Sequence, residues 1–509
     1  MMVPVDKHQQ APFLTRSHFH TLLSRFLPMS FRLLFIVVLI VFPIACSAQK
    51  HDNIWMWCLY HNSSNPVFGG MNMDFSHEPP LLYPQKKKID LAFYCGICSD
   101  SSGILSFYTN GISIRDTTHE RMMNGDTINP GSIWIDWQDR SYPNGPFCFA
   151  LPAPGKHDEY YFFHLATTIH YKSSPFYYTV VDMKGNNGLG LVTEKNKILL
   201  PGGDSNQRDY IDPVAVKHGN GRDWWVISGE VQTPNMYVFL VDPDGVHGPF
   251  TTIMPYFFPG EDYQAVNDIS PDGNIYVRAA GRRGIYIFDF DRCTGVLNNL
   301  KAMPFADSQF FGFAAVFAPN SRHLYLSSWE TLTVVDIIAD DIAASLDTLA
   351  YFDGYASPYE PFLTGFFTPN LAPNAKIYYA TTNATLSKHI LHNPDLPSEA
   401  ADMEQHGLSL PKYNNGTMCL FPNYRLGEWE GSPCDTINGQ KPGDGFTKSN
   451  WYPPAEAKIE GYTLLPPLFK NVQPDGQPRA RDLNMAELAF KRREEQKNKA
   501  VPTKKADKN

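Results

Sequence analysis

Short apolar runs alternating with polar turns fill most of this chain, and sustained helical spacing is almost absent. Runs such as "FYYTVVDM" (176–183), "NMYVFLVD" (235–242), "GIYIFDFD" (284–291) and "LTVVDII" (332–338) are rich in β-branched and aromatic residues and bounded by turn formers. That pattern predicts strands. Three of the four run into an Asp-bearing turn, as in "VDPDGV" and "DFDRCTGV". There the carboxylate can accept from the backbone two residues on. The best helical pattern of the body, "DDIAASLDTLA" (340–350), reads equally as a connection followed by a strand.

The strands recur with a period. "ISPDGNIYVRAA" (269–280), "FAPNSRHLYLSS" (317–328) and "LAPNAKIYYATT" (371–382) each carry a Pro-led polar turn and then a strand with a central aromatic. Tyr276, Tyr325 and Tyr378 mark equivalent positions, and Trp225, Tyr161, Phe107 and Trp55 continue the series upstream. Seven anchors between residues 55 and 378 have a mean spacing near 54. A period of about 50, with each unit a few short strands, is the mark of a β-propeller, whose blades bury their faces only by stacking on one another. Residues 49–434 divided by seven give about 55 residues a blade, so the expected fold is all-β, with seven blades of four antiparallel strands. Six or eight blades are the alternatives. Trp55 and the late strand "TMCLFPNY" (417–424) are expected to share one blade and clasp the ring shut.

Composition changes this picture little. Charged residues are 19% of the chain and the net charge is −9, which gives no reason to expect nucleic acid as a partner. The N-terminus adds more. "LLFIVVLIVF" (33–42) follows Arg32 and is followed by "ACSAQK", the layout of a signal-peptide core and cleavage site. Residues 1–48 therefore read as a signal segment, with Met29 as the expected true start and cleavage before Gln49. The rival reading is a lipoprotein acylated at Cys46, which would be the chain's one membrane attachment. Cleavage leaves seven of the eight cysteines. An odd number in an exported chain implies at least one free thiol.

Taken together and in order, "SDSSGILSFYTNG", "VVDMKGNNGLG", "AVKHGNGRDWWVI", "IFDFDRCTG", "FAPNSRHLYLSS" and "NYRLGEWEGSPCDT" resemble a family of exported WD40-like (YVTN-like) β-propeller proteins of Bacteroidota. The resemblance spans about residues 53–436. It implies a propeller located outside the cytoplasm, in the periplasm, at the cell surface or secreted. It supplies no catalytic residues. Members often carry a C-terminal sorting domain for type IX secretion, and no such domain is read after "GSPCDT" here.

Candidate chemistry is sparse. Cys95 and Cys98 have CxxC spacing, but a turn and a strand follow instead of the helix that would lower a redox cysteine's pKa, and no second CxxC completes a zinc site. They read as structural core cysteines, with a disulfide to Cys58 or Cys148 as the second reading. "GNNGLG" (185–190) reads as a blade connection and "DFDRCTG" as a hairpin turn. His164 reads as packed, and neither HExxH nor GxSxG occurs. Cys419 and Cys434 flank the end of the predicted propeller and form a possible disulfide; two unpaired thiols fit the spacing equally. The binding candidates are two aromatic insertions, "SIWIDWQDRSYPNGPF" (132–147) with Trp134, Trp137 and Tyr142, and "YFDGYASPYEPFLTGFF" (351–367) with Tyr355 and Tyr359. Exposed Trp and Tyr offer rigid contact area for protein or glycan ligands; covering blade edges is the competing role. Trp137 and Tyr359 are expected to be partly exposed on one face.

After the propeller, residues 435–480 read as a Pro/Gly-rich linker and 481–509 as a basic tail, helical or disordered. The expected function is binding of protein or carbohydrate through rim loops, by a monomer without cofactor. The alternatives are a lactonase- or lyase-like enzyme working in the funnel, with Ca²⁺ as its conceivable cofactor, and a structural or motility-associated surface component.

Overall fold

The computed structural model describes residues 49–468, apart from 92–94, 138–143, 168–174, 203–209, 232, 259–265, 282, 306–313, 359–361, 382, 415, 417 and 436–451. The signal segment and the basic tail lie outside the described residues.

The chain forms seven antiparallel sheets in sequence order. Blade 1 holds β1 (Ile54–Leu59), β2 (Gly69–Asp74) and β3 (Leu81–Pro84), and blade 2 holds β4 (Gly96–Ser99), β5 (Leu105–Thr109) and β6 (Ile114–Arg115). Blade 3 follows with β7 (Asn144–Pro152), β8 (Glu159–Thr167), β9 (Phe176–Asp182) and β10 (Leu191–Leu200). Blade 4 comprises β11 (Val214–Lys217), β12 (Trp224–Gly229), β13 (Asn235–Asp242) and β14 (Gly245–Ile253). Blade 5 comprises β15 (Asp268–Ile269), β16 (Ile275–Ala279), β17 (Gly284–Phe290) and β18 (Leu297–Pro304). Blade 6 has β19 (Ala314–Phe317), β20 (His323–Ser327), β21 (Thr331–Asp336) and β22 (Asp347–Tyr351). Blade 7 has β23 (Phe366–Leu371), β24 (Ile377–Thr381), β25 (Thr385–Leu391) and β26 (Met403–Asn414).

All seven aromatic anchors land on strands β1, β5, β8, β12, β16, β20 and β24 and are buried, Tyr276 and Tyr325 completely. The companion runs become the third strands of blades 3 to 6. Their Asp residues cap the turns as expected: Asp182 accepts from the Lys184 amide at 2.9 Å and Asp242 from the Asp244 amide at 2.8 Å. Residues 340–350 are a connection ending in β22, not a helix.

Strand alternation explains how the blades cohere. On β12, Trp224 and Val226 pack with Phe149, Tyr161 and Phe163 of blade 3, while Trp225 and Ile227 pack with Tyr276, Tyr286 and Phe288 of blade 5. Each sheet thus feeds two cores. Such a core lies between every neighbouring pair, including Trp55 and Met71 of blade 1 with Tyr378 and Ile390 of blade 7, so the ring is closed. A large side chain buried in this way contributes roughly 1.5–3 kcal/mol.

Two departures from the sequence reading concern the end of the chain. Residues 418–424 are not a strand, although they lie where blade 1 would have its innermost one. Part of the expected linker is also structured. β27 (Glu456–Lys458) pairs in parallel with β14, and β28 (Thr463–Leu464) with β18. Ile459 and Leu468 are buried beside them. The tail thereby covers the outer edges of blades 4 and 5, which would otherwise present unpaired backbone groups.

Candidate functional site: the ring axis and the aromatic rim

Residues 418–435 run along the ring axis and touch six blades. Met418 is buried with Trp55 and Trp57 of blade 1 and Tyr378 of blade 7. Cys419 is disulfide-bonded to Cys95 at the entry to β4, and its carbonyl accepts from the Asn370 amide side chain. Phe421 stacks on the anchor Trp55, with ring centroids 6.0 Å apart. Asn423 Nδ2 donates to the Pro271 carbonyl of blade 5 at 2.9 Å, and the Tyr424 hydroxyl donates to the Ala150 carbonyl of blade 3 at 2.6 Å. Arg425 forms an ion pair with Asp52, and the Trp429 amide donates to the Gly219 carbonyl of blade 4 at 2.7 Å. Cys434 is disulfide-bonded to Cys293 in the β17–β18 turn.

The reason this segment fits is visible in retrospect. "LFPN" (420–423) copies the hydrophobic-x-Pro-polar step of "ISPD" (269–272), "FAPN" (317–320) and "LAPN" (371–374). It is the missing inner position of blade 1, supplied from the other end of the chain. It fills that place by side-chain packing and two covalent links, and it forms no ladder.

Beside this plug the axis keeps a cavity of about 320 Å³. The Pro-led turns form part of its wall: Pro271, Pro319 and Pro373 line it half-buried, and Ala375 lies exposed at its edge. The ionisable side chains lining it are Asp52, Asp268 and Arg425. Burial raises Asp52 above the ordinary carboxylate range, and Arg425 partly offsets this. Asp52 Oδ1 has no hydrogen-bond partner among the described residues. Burial also pushes Asp268 up to about 7, although its two oxygens accept from the Ile269 amide at 2.8 Å and the Phe317 amide at 2.7 Å.

The sequence-predicted residues fall into two groups. Trp134 and Trp137, on the short helix α1 (Ser132–Trp137), are half-buried against the core between blades 2 and 3. Trp134 Nε1 donates to the Ile112 carbonyl at 3.2 Å, which holds this side chain against the blade. Tyr142 and Tyr359 lie outside the described residues.

Tyr355 is different. It stands 43% exposed beside Phe362, also 43% exposed. The Ser357 amide donates to the Phe362 carbonyl at 2.9 Å, and the Thr364 amide to the Tyr355 carbonyl at 3.1 Å. The Tyr355 ring packs 4.3 Å from that of His406. His406 Nε2 lies 2.9 Å from Asp353 Oδ2, and Asp353 Oδ1 accepts from the Tyr355 amide at 2.8 Å. Asp353 is partly buried, which raises its pKa, but His406 and the Tyr355 amide outweigh this and hold it below the ordinary range. Behind it His389, buried and lowered to about 3 by burial, accepts from the His406 amide at 3.2 Å and lies 2.7 Å from the Thr364 carbonyl. The Tyr355 ring therefore rests on a hydrogen-bonded base, and the exposed Phe362 is tied to the same loop through its backbone carbonyl. Sequence reasoning named Tyr355 but missed Phe362, His406 and Asp353, because they meet only when blade 7 folds against the 352–364 loop.

The cysteines require a correction. Cys419 and Cys434 do not pair with each other; they pair with Cys95 and Cys293. Cys95 is cross-linked, but to neither Cys58 nor Cys148, which with Cys98 are buried and belong to neither disulfide. Burial raises the Cys98 thiol well above its ordinary range, as expected of a structural cysteine. Residues three apart on extended chain face opposite ways, and so the CxxC pair divides between the axis and a blade core. His164 is packed as expected, its ring nitrogens 2.8 Å from Asn129 Oδ1 and 2.9 Å from Thr179 Oγ1.

No protein-family model matches the chain, and no curated protein matches it. Solved structures similar to it include a Lactobacillus plantarum protein at 12% identity, covering 72% of this chain and 98% of that one, with a TM-score of 0.43. A putative 6-phosphogluconolactonase of Bacteroides fragilis is 12% identical over 71% of this chain and 97% of its own, with a TM-score of 0.43. The periplasmic gluconolactonase of Pseudomonas aeruginosa is 10% identical over 73% and 99%, with a TM-score of 0.44.

Proposed function

We propose that the protein is an exported, monomeric β-propeller that binds a protein or glycan through the aromatic hairpin around Tyr355 and Phe362. The observation that carries this reading is the exposure of both aromatics, with the Tyr355 ring seated on the base made by His406 and Asp353. Rigid, preorganised aromatics supply contact area at little entropic cost. The two disulfides support export, since such bonds persist in oxidising compartments. Of the two carboxylates lining the cavity, Asp52 is held by Arg425 and Asp268 by two backbone amides.

The test is a glycan array and an envelope-protein pull-down with the full exported chain and its Tyr355→Ala/Phe362→Ala variant. Ligands retained by the parent should be lost by the variant, with a drop of about tenfold or more, because central aromatic anchors cost roughly 2 kcal/mol or more. Undiminished capture by the variant, or turnover of sugar lactones by the parent, would overturn the proposal.

A further inference from the structure

The cavity at the ring axis has a chemistry that the aromatic rim does not share. Six of its lining residues are prolines: Pro213, Pro271, Pro319, Pro369, Pro373 and Pro422. Proline contributes a carbonyl acceptor and no N–H donor. Each amide side chain on the wall has one of its two N–H groups engaged: Asn267 Nδ2 with the Asp212 carbonyl at 3.0 Å, Asn423 Nδ2 with the Pro271 carbonyl at 2.9 Å, and Asn370 Nδ2 with the Cys419 carbonyl. Six positions of the wall thus carry no backbone N–H. Its charges are Asp52, Asp268 and Arg425, one negative charge in excess, and Arg425 is already paired with Asp52. Asp268 has two backbone donors but no basic side chain paired with it among the described residues, in keeping with its rise to about 7. The rest of the lining is apolar, including Phe149, Val316 and Phe421. At about 320 Å³ the cavity falls within the range of small-molecule sites, roughly 300–1,000 Å³.

We propose that this axial cavity binds a small organic ammonium compound, with its apolar body against the proline-rich wall and its charged nitrogen donating to Asp268. A cation restores charge balance beside a buried carboxylate, and its N–H groups donate to that carboxylate. A neutral isostere gains only the apolar contacts, and an anion meets the Asp268 carboxylate. Entry is between the Pro-led turns at Pro271, Pro319 and Pro373. The turns that repeat in the sequence are thus also the mouth of the site.

Isothermal titration calorimetry on the full exported chain tests this with phenethylamine, cyclohexylamine and tryptamine, against 2-phenylethanol and phenylacetate as neutral and anionic counterparts. At least one amine should bind, and phenethylamine should exceed 2-phenylethanol by about tenfold or more, the scale of a charge-assisted hydrogen bond. Asp268→Asn should erase that preference. Ala375→Trp, at an exposed position on the edge of the cavity, should block all binding without entering a blade core, so it decides the matter even if Asp268→Asn fails to fold. Tyr355→Ala should leave amine affinity unchanged, which separates this site from the rim. Equal affinity for amine and alcohol, no binding by any of the three amines, or undiminished binding by Ala375→Trp would overturn the proposal.

Discussion

Replacing Cys95 and Cys419 by alanine removes a cross-link between residues 324 apart in sequence. In the chain-entropy treatment the constraint on the unfolded state grows with the logarithm of loop length, giving a ceiling of about 6 kcal/mol here. The Cys293–Cys434 link, across 141 residues, has a ceiling of about 5 kcal/mol. Measured losses generally fall below such ceilings, so each pair should cost about 2–5 kcal/mol. The two loops overlap, and the second constraint acts on a chain already shortened by the first. The four-cysteine variant should therefore lose less than the sum of the two pairs. Urea unfolding of the parent, both double variants and the quadruple variant measures this directly, with unchanged slopes required for the comparison. Peptide mapping under non-reducing conditions checks the pairing. An unchanged midpoint for Cys95→Ala/Cys419→Ala, or a Cys419–Cys434 peptide, would refute the reasoning.

Acid should destabilise the protein. Burial lowers His164 and His389 to about 3 and His51 and His218 to about 4, so each stays neutral in the folded state while the unfolded chain takes up a proton near 6.5. Stability falls with pH from about 6.5 down through these folded values, by about 1.4 kcal/mol per group per unit. Asp268 opposes this, because its raised folded pKa means that its stabilising share is lost as pH rises through about 7. Asp52, also raised by burial, opposes it in the same sense. Four histidines against these two aspartates still give a net decline, and a urea midpoint equal at pH values on either side of 6.5 would contradict it. Trp225→Ala should cost about 3–5 kcal/mol by the large-to-small rule, since Trp225 is wholly buried and its Nε1 donates to the Arg292 carbonyl at 2.8 Å. Ile338→Ser, at an exposed site, should change stability by less than about 0.5 kcal/mol, and equal losses for the two would show that the anchors are not the core.

The fold could be read from the chain because its information is local and repeated. Each anchor aromatic sits in a strand behind its own turn, and the same arrangement recurs seven times, so an error in one unit is corrected by the others. What could not be read depends on single encounters between distant residues. The sequence placed 417–424 in one blade with Trp55, but not the particular contacts that hold it there, such as Cys419 with Cys95 and Arg425 with Asp52. The hydrophobic-x-Pro-polar step at 420–423 marks the position, while the partners of Cys419 and Arg425 lie far off in the chain and belong to no motif. The tail strands β27 and β28 were hidden for a related reason: two or three residues added to an existing edge need no alternating pattern of their own. At the rim Tyr355 was recognised by composition, whereas the His406–Asp353 base beneath it belongs to no motif.

A ring completed by residues that follow its seventh blade also sets an order of events. Blades 2 to 7 have their strands by Asn414, yet blade 1 lacks its inner contacts until Met418 and Phe421 have been made. A chain emerging from its N-terminus begins folding at once. This one must hold its first blade incomplete through nearly the whole of synthesis, with Trp55 waiting for Phe421. Loss of the chain from Met418 onward, nearly a fifth of its length, would not trim a periphery. It would leave blade 1 without its inner cover, with Trp55 bared as an invitation to the next molecule.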